Sequence, residues 1–447
     1  MKFVLLWSDA LFFLLVAMCV FGAWRARRNP QLASAWRQVG THRVGVAAAT
    51  ILLCFAAIAV LDSVHYRERL PGENGNVQYS VEVLSVLDGL MTKERTQLEK
   101  TYSAPLATQL FAKESRADGE GRDFPRLKYG GAQLADPALR DADVEKRALG
   151  GLVAGFVIWV ALAFCVRRWL RPRAPWFAWN AFVFTLAAIA VVSGVIVALV
   201  PEYHVFGTDK VGQDVLYLSL KSVRTALLIG TLTTLSMLPA ALFLGIVAGW
   251  RGGWVDDAIQ YVYTVLNSIP GVLLIAAAVL MMQVVIDGHP AWFSTSAERA
   301  DARLLSLCVI MGVTSWTGLC RLLRAETLKL RELEFVQAAQ AFGVSGFNIM
   351  LRHILPNVMH IVMISLVMDF SGLVLAEAVL SYVGIGVDPT TISFGTMINA
   401  ARMELAREPM VWWSLASAFS FMFVLVLAAN LFADAVSEAF DPRGKRS

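Results

Sequence analysis

Residues 321–357 read RLLRAETLKLRELEFVQAAQAFGVSGFNIMLRHILPN, and what flanks this stretch decides the architecture. It is polar and patterned, yet an apolar run suited to crossing a hydrocarbon core lies on each side, near 304–320 and 358–380. Phe335, Val336, Ala338, Ala339 and Phe342 fall on one side of a short helix. Gly343 can end that helix by taking φ > 0, and a second short helix runs from about Ser345 towards Pro356, which sits where the next span begins. A helix-Gly-helix between spans, with small alanines at its tip, is shaped to enter a groove of another protein. Alanine lets backbones approach closely, and Phe342 can anchor.

Working outward, the chain of 447 residues is 57% hydrophobic and only 17% charged, with a mean hydropathy of +0.58, which excludes an ordinary water-soluble protein. Its net charge of +4 comes from 39 basic and 35 acidic residues with no long basic tract, so nucleic acid is not an expected partner. Cys19, Cys54, Cys165, Cys308 and Cys320 lie in or beside apolar runs without a CxxC, which supports neither a disulfide framework nor a zinc site. Inside lipid every backbone N–H and C=O must be satisfied within the segment, so the apolar runs are expected as helices. They lie near 4–23, 44–61, 150–167, 178–200, 223–249, 259–286, 304–320, 358–380 and 412–433. The fold class expected is therefore an all-α polytopic membrane protein of about nine transmembrane helices.

Short basic loops stay cytoplasmic, which places Arg25, Arg27, Arg28, Arg37 and Arg43 inside together with Arg167, Arg168, Arg171 and Arg173. Alternation then puts 62–149, 201–222, 287–303 and 381–411 outside, and 250–258, 321–357 and the tail with Arg443, Lys445 and Arg446 inside. Residues 1–23 read either as a retained span or as a signal peptide. Retention is preferred, because cleavage would send the arginine cluster across the membrane. In the outer segment, YSVEVLSVLDGLMTKER spaces Val83, Leu84, Leu87, Leu90 and Met91 as a helix, lying on the membrane or on neighbouring spans, or else against an external binding protein; ESRADGEGRDFPRLKYGG after it reads as loop.

The quoted loop resembles the EAA loop of ABC-importer permeases, and its RHILPN ending is similar to the peptide and nickel branch. Ala338, Ala339, Gly343, Leu355 and Pro356 fall at the family's spacing, while Gln337, three residues after Glu334, stands where the family has Glu. HVFGTDKVGQDVL resembles the family's LGTDxxGRD through Gly207, Thr208, Asp209, Gly212 and Asp214, with Gln213 in place of Arg. EAVLSYVGIGVDPTTISFG matches a third segment through Glu377, Leu380, Ser381, Gly384, Gly386, Pro389, Ser393 and Gly395. NLFADAVSEAFDPR echoes a fourth through Asn430, Asp434, Asp441, Pro442 and Arg443. The likeness covers about 180 or 200 to 443. It implies a C-terminal core of the type I ABC-importer permease fold over 201–447, preceded by membrane regions 1–61 and 150–200 and the periplasmic segment 62–149.

The resemblance further implies a transport subunit in a bacterial inner membrane, multi-pass, with a cytoplasmic C-terminus. Its implied partners are a second permease, two ATPase subunits that move the loop 321–357, and a periplasmic or lipid-anchored solute-binding protein, with membrane lipid around it. Peptides are the expected cargo, and nickel, a metal chelate or a modified peptide the alternative. No GxxxxGK[ST], HExxH or GxSxG occurs, so no catalytic residue, cofactor or metal is expected and ATP hydrolysis falls to a partner. A different class, a receptor or membrane enzyme using 62–149, would need a ligand constellation there that the sequence does not display. For GTDKVGQD an ordinary turn with Asx-type caps and a structured outer element are both open. Asp369, deep in ISLVMDFSGLVL, is expected on the pathway or an interface unless it is a bonded structural group, with Glu377 beside it as a second candidate. NSIPG at 267–271 should kink its span.

Overall fold

The computed structural model describes residues 2–28, 30–70, 78–115, 121–293 and 295–440. The basic tail and the match at Asp441, Pro442 and Arg443 lie outside the described residues, as do 116–120 of the expected loop. In chain order the helices are α1 (Trp7–Ala26), α2 (Pro30–Thr41), α3 (Arg43–Ser63), α4 (Val86–Leu90), α5 (Thr92–Thr96), α6 (Arg140–Cys165), α7 (Trp179–Leu199), α8 (Val215–Arg251) and α9 (Gly253–Ser268). They continue as α10 (Gly271–Gly288), α11 (Ser296–Ser315), α12 (Thr317–Arg331), α13 (Glu334–Ala341), α14 (Gly346–Ile349), α15 (Leu355–Val383), α16 (Phe394–Arg402) and α17 (Trp413–Phe440). Among the described residues nine helical stretches are long and apolar enough to cross a membrane, and each of the nine expected spans overlaps one of them.

The stretch 259–286 needs correction, because it is not one kinked span. Ile269 is extended (φ −92°, ψ 131°) between α9 and α10, as the residue before Pro270 prefers, and the helix breaks there outright. Of the two, only α10 is long and apolar enough to cross a membrane; α9 carries Asp256 and Asp257 and is too short to count among the nine. A second correction concerns the outer segment. Leu84 and Ser85 form a strand, and α4 and α5 are separate one-turn helices broken at Met91, so no single helix runs through 80–95. Leu84 and Leu87 are buried, whereas Leu90 is 70% exposed and leaves the expected stripe. The strand pairs antiparallel with His65–Arg67, which pairs in turn with Lys2–Val4.

Two compact units divide the chain. One comprises Met1–Leu5, Arg37–Ala226 and Thr391–Ala428. Here α6 and α7 form an antiparallel hairpin packed backbone to backbone. A Cβ added at Gly151 would stand 2.5 Å from Gly194 O, and one at Gly155 only 2.4 Å from Ala190 O. Small residues are how helices gain close packing in lipid, where apolar surface alone drives no association. The segment 62–149 is tied to the start of α8 by charge. Lys221 Nζ donates to both oxygens of Asp88 at 2.7 and 2.9 Å and lies 3.5 Å from Asp62, while Tyr217 donates to Asp88 at 2.7 Å. Asp88 also closes a capping box with Ser85 at the head of α4.

The other unit comprises Leu6–Trp36, Leu227–Thr390 and Ala429–Ser447. The end of α8 lies tight on α12, since a Cβ at Gly245 would meet Cys320 O at 2.8 Å and one at Gly249 would meet Arg324 O at 2.7 Å. Ser8 on α1 hydrogen-bonds Asp301 on α11 through both its backbone N–H and its hydroxyl. Replacing Gly155 by Leu should force α6 and α7 apart and cost about 1–3 kcal/mol of stability. Gly150→Leu, with nothing within 4 Å of its added Cβ, should cost little. Thermal unfolding of the detergent-solubilised protein checks this, and equal midpoints for the two variants would refute the close-packed hairpin.

Candidate functional site

The loop of 321–357 is helical almost from its first residue, since α12 runs on to Arg331 before the chain turns at 332–333 into α13. Arg324 holds Asp256 of α9 by two bonds of 2.5 and 2.6 Å, a fork-to-carboxylate pair that ties α12 to α9. That guanidinium keeps the Asp256 carboxyl below its usual range. Arg331 adds a donor to Trp250 O at 3.4 Å, near the C-terminal end of α8.

The expected single face of α13 is corrected by the burial. Val336 and Ala339 point inward, into a cluster with Leu319, Leu323, Ile349, Ile354 and Val358. Phe335, Ala338 and Phe342 point outward, with Phe342 87% exposed. A helix with 3.6 residues per turn separates neighbours by 100°, so Ala338 and Ala339 cannot share one narrow stripe. Gly343 has φ +74° and ends α13 in a Schellman turn: its N–H donates to Gln340 O at 2.9 Å and that of Val344 to Ala339 O at 3.1 Å. The free Cβ space around Gly343 shows that dihedral, not crowding, requires glycine there.

After α14 the backbone widens into a π turn, Met350–Ile354, that flows into α15, so no separate second helix ends at Pro356. Pro356 has no N–H for the carbonyl four residues back, and a wider turn accommodates its ring. Leu355 and Pro356 thus form the first turn of α15, and Asn357 returns a side-chain donor to His353 O at 2.6 Å. Glu334 lies in the first turn of α13, where a negative charge suits the helix dipole. Gln337 is exposed and bonds Glu332 O at 3.2 Å. The loop therefore presents Phe342, Phe347, Phe335 and Val344 outward from a base locked into the core.

GTDKVGQD combines the turn and the structured element. Asp209 Oδ1 accepts the N–H groups of Val211 and Gln213 at 2.9 and 2.8 Å, and Asp214 Oδ1 caps α8 at Leu216 and Tyr217. Thr208 is fully buried and bonds Thr101 O and the Ser103 backbone, while Trp413 Nε1 donates to Thr208 O at 2.9 Å. Gly207 and Gly212 have φ near +75°, and a Cβ on Gly212 would lie 1.9 Å from Glu99 O.

Beneath this turn sits a cluster that sequence reasoning missed. His204 Nδ1 lies 2.8 Å from Asp214 Oδ2 and its Nε2 3.6 Å from Glu99 Oε1, a charge contact beyond hydrogen-bond reach. Glu99 accepts from the N–H groups of Lys128, Tyr129 and Gly130 at 2.8 to 3.0 Å. Burial would lower the His204 pKa, but the Asp214 bond and the two carboxylates outweigh it and raise it to about 9. Burial likewise opposes the Glu99 charge, and His204 with the three N–H donors overcomes it, bringing that pKa to about 2. Only the position of His204 just before the motif hinted at this; Glu99 lies too far back in sequence to be linked without the fold.

Of the two acids in α15, Glu377 is buried and accepts from Ser381 Oγ at 2.7 Å, inside a turn closed by Gly384 in a second Schellman arrangement. Gly386 packs on Ser381, and Asp388 is held by Arg303 at 2.6 Å. Asp369 is partly exposed and, among the described residues, has no hydrogen-bond or ion-pair partner.

Residues 241–446 match the family described as binding-protein-dependent transport system inner membrane component. The dipeptide transport system permease protein DppC of Lactococcus lactis is 31% identical over 246 residues, 55% of this chain and 66% of that protein. A putative peptide permease protein of Brucella suis is 31% identical over 242 residues, 54% of this chain and 74% of its own length. The oligopeptide transport system permease protein OppC of Mycobacterium tuberculosis is 29% identical over 242 residues and is covered over 77% of its length. The chain belongs to the family of binding-protein-dependent transport system inner membrane components. Its all-α, multi-span architecture is the one expected, and it is a transport subunit, not an enzyme.

The buried cluster makes the element built from 99–130 and 204–214 pH-dependent in both directions. The His204 contribution is complete below about 6.5 and is lost as pH rises through about 9. The Glu99 contribution is complete above about 4.5 and is lost as pH falls through about 2. Amide exchange of 99–130 and 204–214, corrected for intrinsic rates, should be slowest between those inner limits. His204→Gln should remove the alkaline limb, and an unchanged limb would refute the pairing.

Proposed function

We propose that this chain is a permease subunit of an ATP-driven importer that moves peptides across the inner membrane, coupled through the α13–α14 loop to ATPase subunits supplied in trans. The observation that carries the coupling role is the division of that loop into a buried base and an exposed aromatic tip. ATP can shift the permease between states only by its differential binding, transmitted through a contact stiff enough not to absorb it. Val336, Ala339, Ile349 and Ile354 lock the loop to α12 and α15, so a push on Phe342 is delivered to the spans. Peptide cargo is supported by the likeness to the dipeptide, oligopeptide and peptide permeases above.

On this reading a second permease, two ATPase subunits and a periplasmic or lipid-anchored binding protein complete the transporter, and the loop and C-terminus are cytoplasmic. The GTDKVGQD element then faces the binding protein's side, and Asp369 serves the pathway or the contact with the second permease. A tagged chain purified gently from native membranes should bring P-loop ATPases and a second permease with it; repeated recovery of the chain alone would overturn the assignment. Phe342→Ala should leave thermal stability within about 0.5 kcal/mol, as surface changes do, while reducing ATP-dependent uptake several-fold. Wild-type uptake by that variant would remove Phe342 from the coupling contact.

A further inference from the structure

The hairpin of α6 and α7 lies outside the family match, and its turn carries a feature that the proposed coupling loop does not explain. At the end of α6 the helix widens into a π turn over Val166–Leu170, closed by Arg171 N–H donating to Val166 O at 2.9 Å. Such turns often mark functional positions. Arg167 and Arg171 line a groove of about 370 Å³ whose other walls include Trp159, Trp179 and Phe184. A recess of about 190 Å³ shares Arg171 and Trp179 with that groove and adds Arg43. The walls are well anchored, since Trp159 Nε1 donates to Val183 O at 2.9 Å and Trp179 Nε1 to Ala174 O at 2.8 Å.

The charge here is uncompensated. No acidic residue occurs between Asp9 and Asp62 or between Glu145 and Glu202, and among the described residues none of Arg43, Arg167 and Arg171 has an ion-pair partner. Elsewhere in the chain, the partly buried Arg95 and Arg147 do pair with acids. The groove is also graded. Its arginines sit at the hairpin's turn, and Trp159 lies eight residues back along α6 from Arg167, about 12 Å at 1.5 Å per residue, towards the middle of the apolar stretch. Cationic forks at the boundary, tryptophans beneath them and an apolar wall running inward match the order of phosphate, glycerol and acyl chain in a lipid leaflet. Guanidinium groups pair with phosphate in two-pronged fashion, and a free phosphate ion would leave the aromatic walls without a partner.

We propose that the groove at the α6–α7 turn is a specific site for an anionic phospholipid, with its phosphate on Arg167 and Arg171 and an acyl chain along Trp159 and Phe184. The site needs only that the chain is in a membrane, so it stands whether or not the cargo is a peptide. Native mass spectrometry of the purified full chain, titrated with phosphatidylglycerol or phosphatidylcholine of equal chain length, tests it. Phosphatidylglycerol should be retained at concentrations at least tenfold lower. The double variant R167Q/R171Q should bring the two lipids to within about threefold of each other, whereas R167K/R171K, which keeps the charge but loses the fork, should retain a reduced preference above that of the Gln variant and so control for folding. Equal retention of both lipids by the wild type, an undiminished preference in the Gln variant, displacement by millimolar inorganic phosphate, or a stoichiometric polypeptide bound there in place of lipid would each overturn the proposal.

Discussion

The imidazolium of His204, held between Asp214 and Glu99 under the turn that leads into α8, shows the constraint on which the rest of this protein depends. A charge taken out of water is tolerated only when an opposite charge or several aligned donors meet it. Glu99 satisfies the rule with three backbone N–H groups and one cation, and Asp214 with a cation and the first turn of α8. The same rule joins Asp62 and Asp88 to Lys221 and Asp256 to Arg324. These pairs join elements far apart in sequence, so they set which helix ends meet. Their value lies in that specificity more than in net stability, because desolvation consumes much of the attraction.

The α13–α14 loop obeys a different economy. It is short, carries no buried charge of its own, and is held by aliphatic packing below and two backbone bonds across Gly343. Packing resists displacement in all directions, and the Schellman turn stops the tip from unwinding. A loop built this way transmits force, whereas a solvated linker of equal length would dissipate it. On the proposed coupling role, the exposed phenylalanines are the part a partner would hold.

Against that background the unpaired charges are informative. Arg43, Arg167 and Arg171 crowd one end of a glycine-packed hairpin with no acid near them in sequence, and Asp369 sits within a long apolar helix without a partner among the described residues. The buried charges around His204 and Lys221 are paired within the chain, whereas these three arginines are exposed and open to a counterpart outside it. For the arginines the surrounding aromatics make the lipid leaflet the fitting counterpart, and for Asp369 the transport reading offers a pathway or a second subunit.

The spans, the Gly343 turn and the caps at Asp209 and Asp214 were all legible in the sequence, because hydropathy, positive φ and Asx capping act over a few neighbouring residues. Residue order alone also carried the family likeness, through motifs whose spacing is local. The tertiary structure alone decided that Ala339 turns inward while Ala338 and Phe342 turn outward, that the interruption at Pro270 is a full break and not a kink, and that the apolar residues of 84–90 divide between a strand and the single turn of α4. It alone brought Glu99 to His204 and Trp413 to Thr208. Those outcomes depend on which surfaces compete for the same side chain and on charges that must find partners across a hundred residues or more, and no local pattern records either.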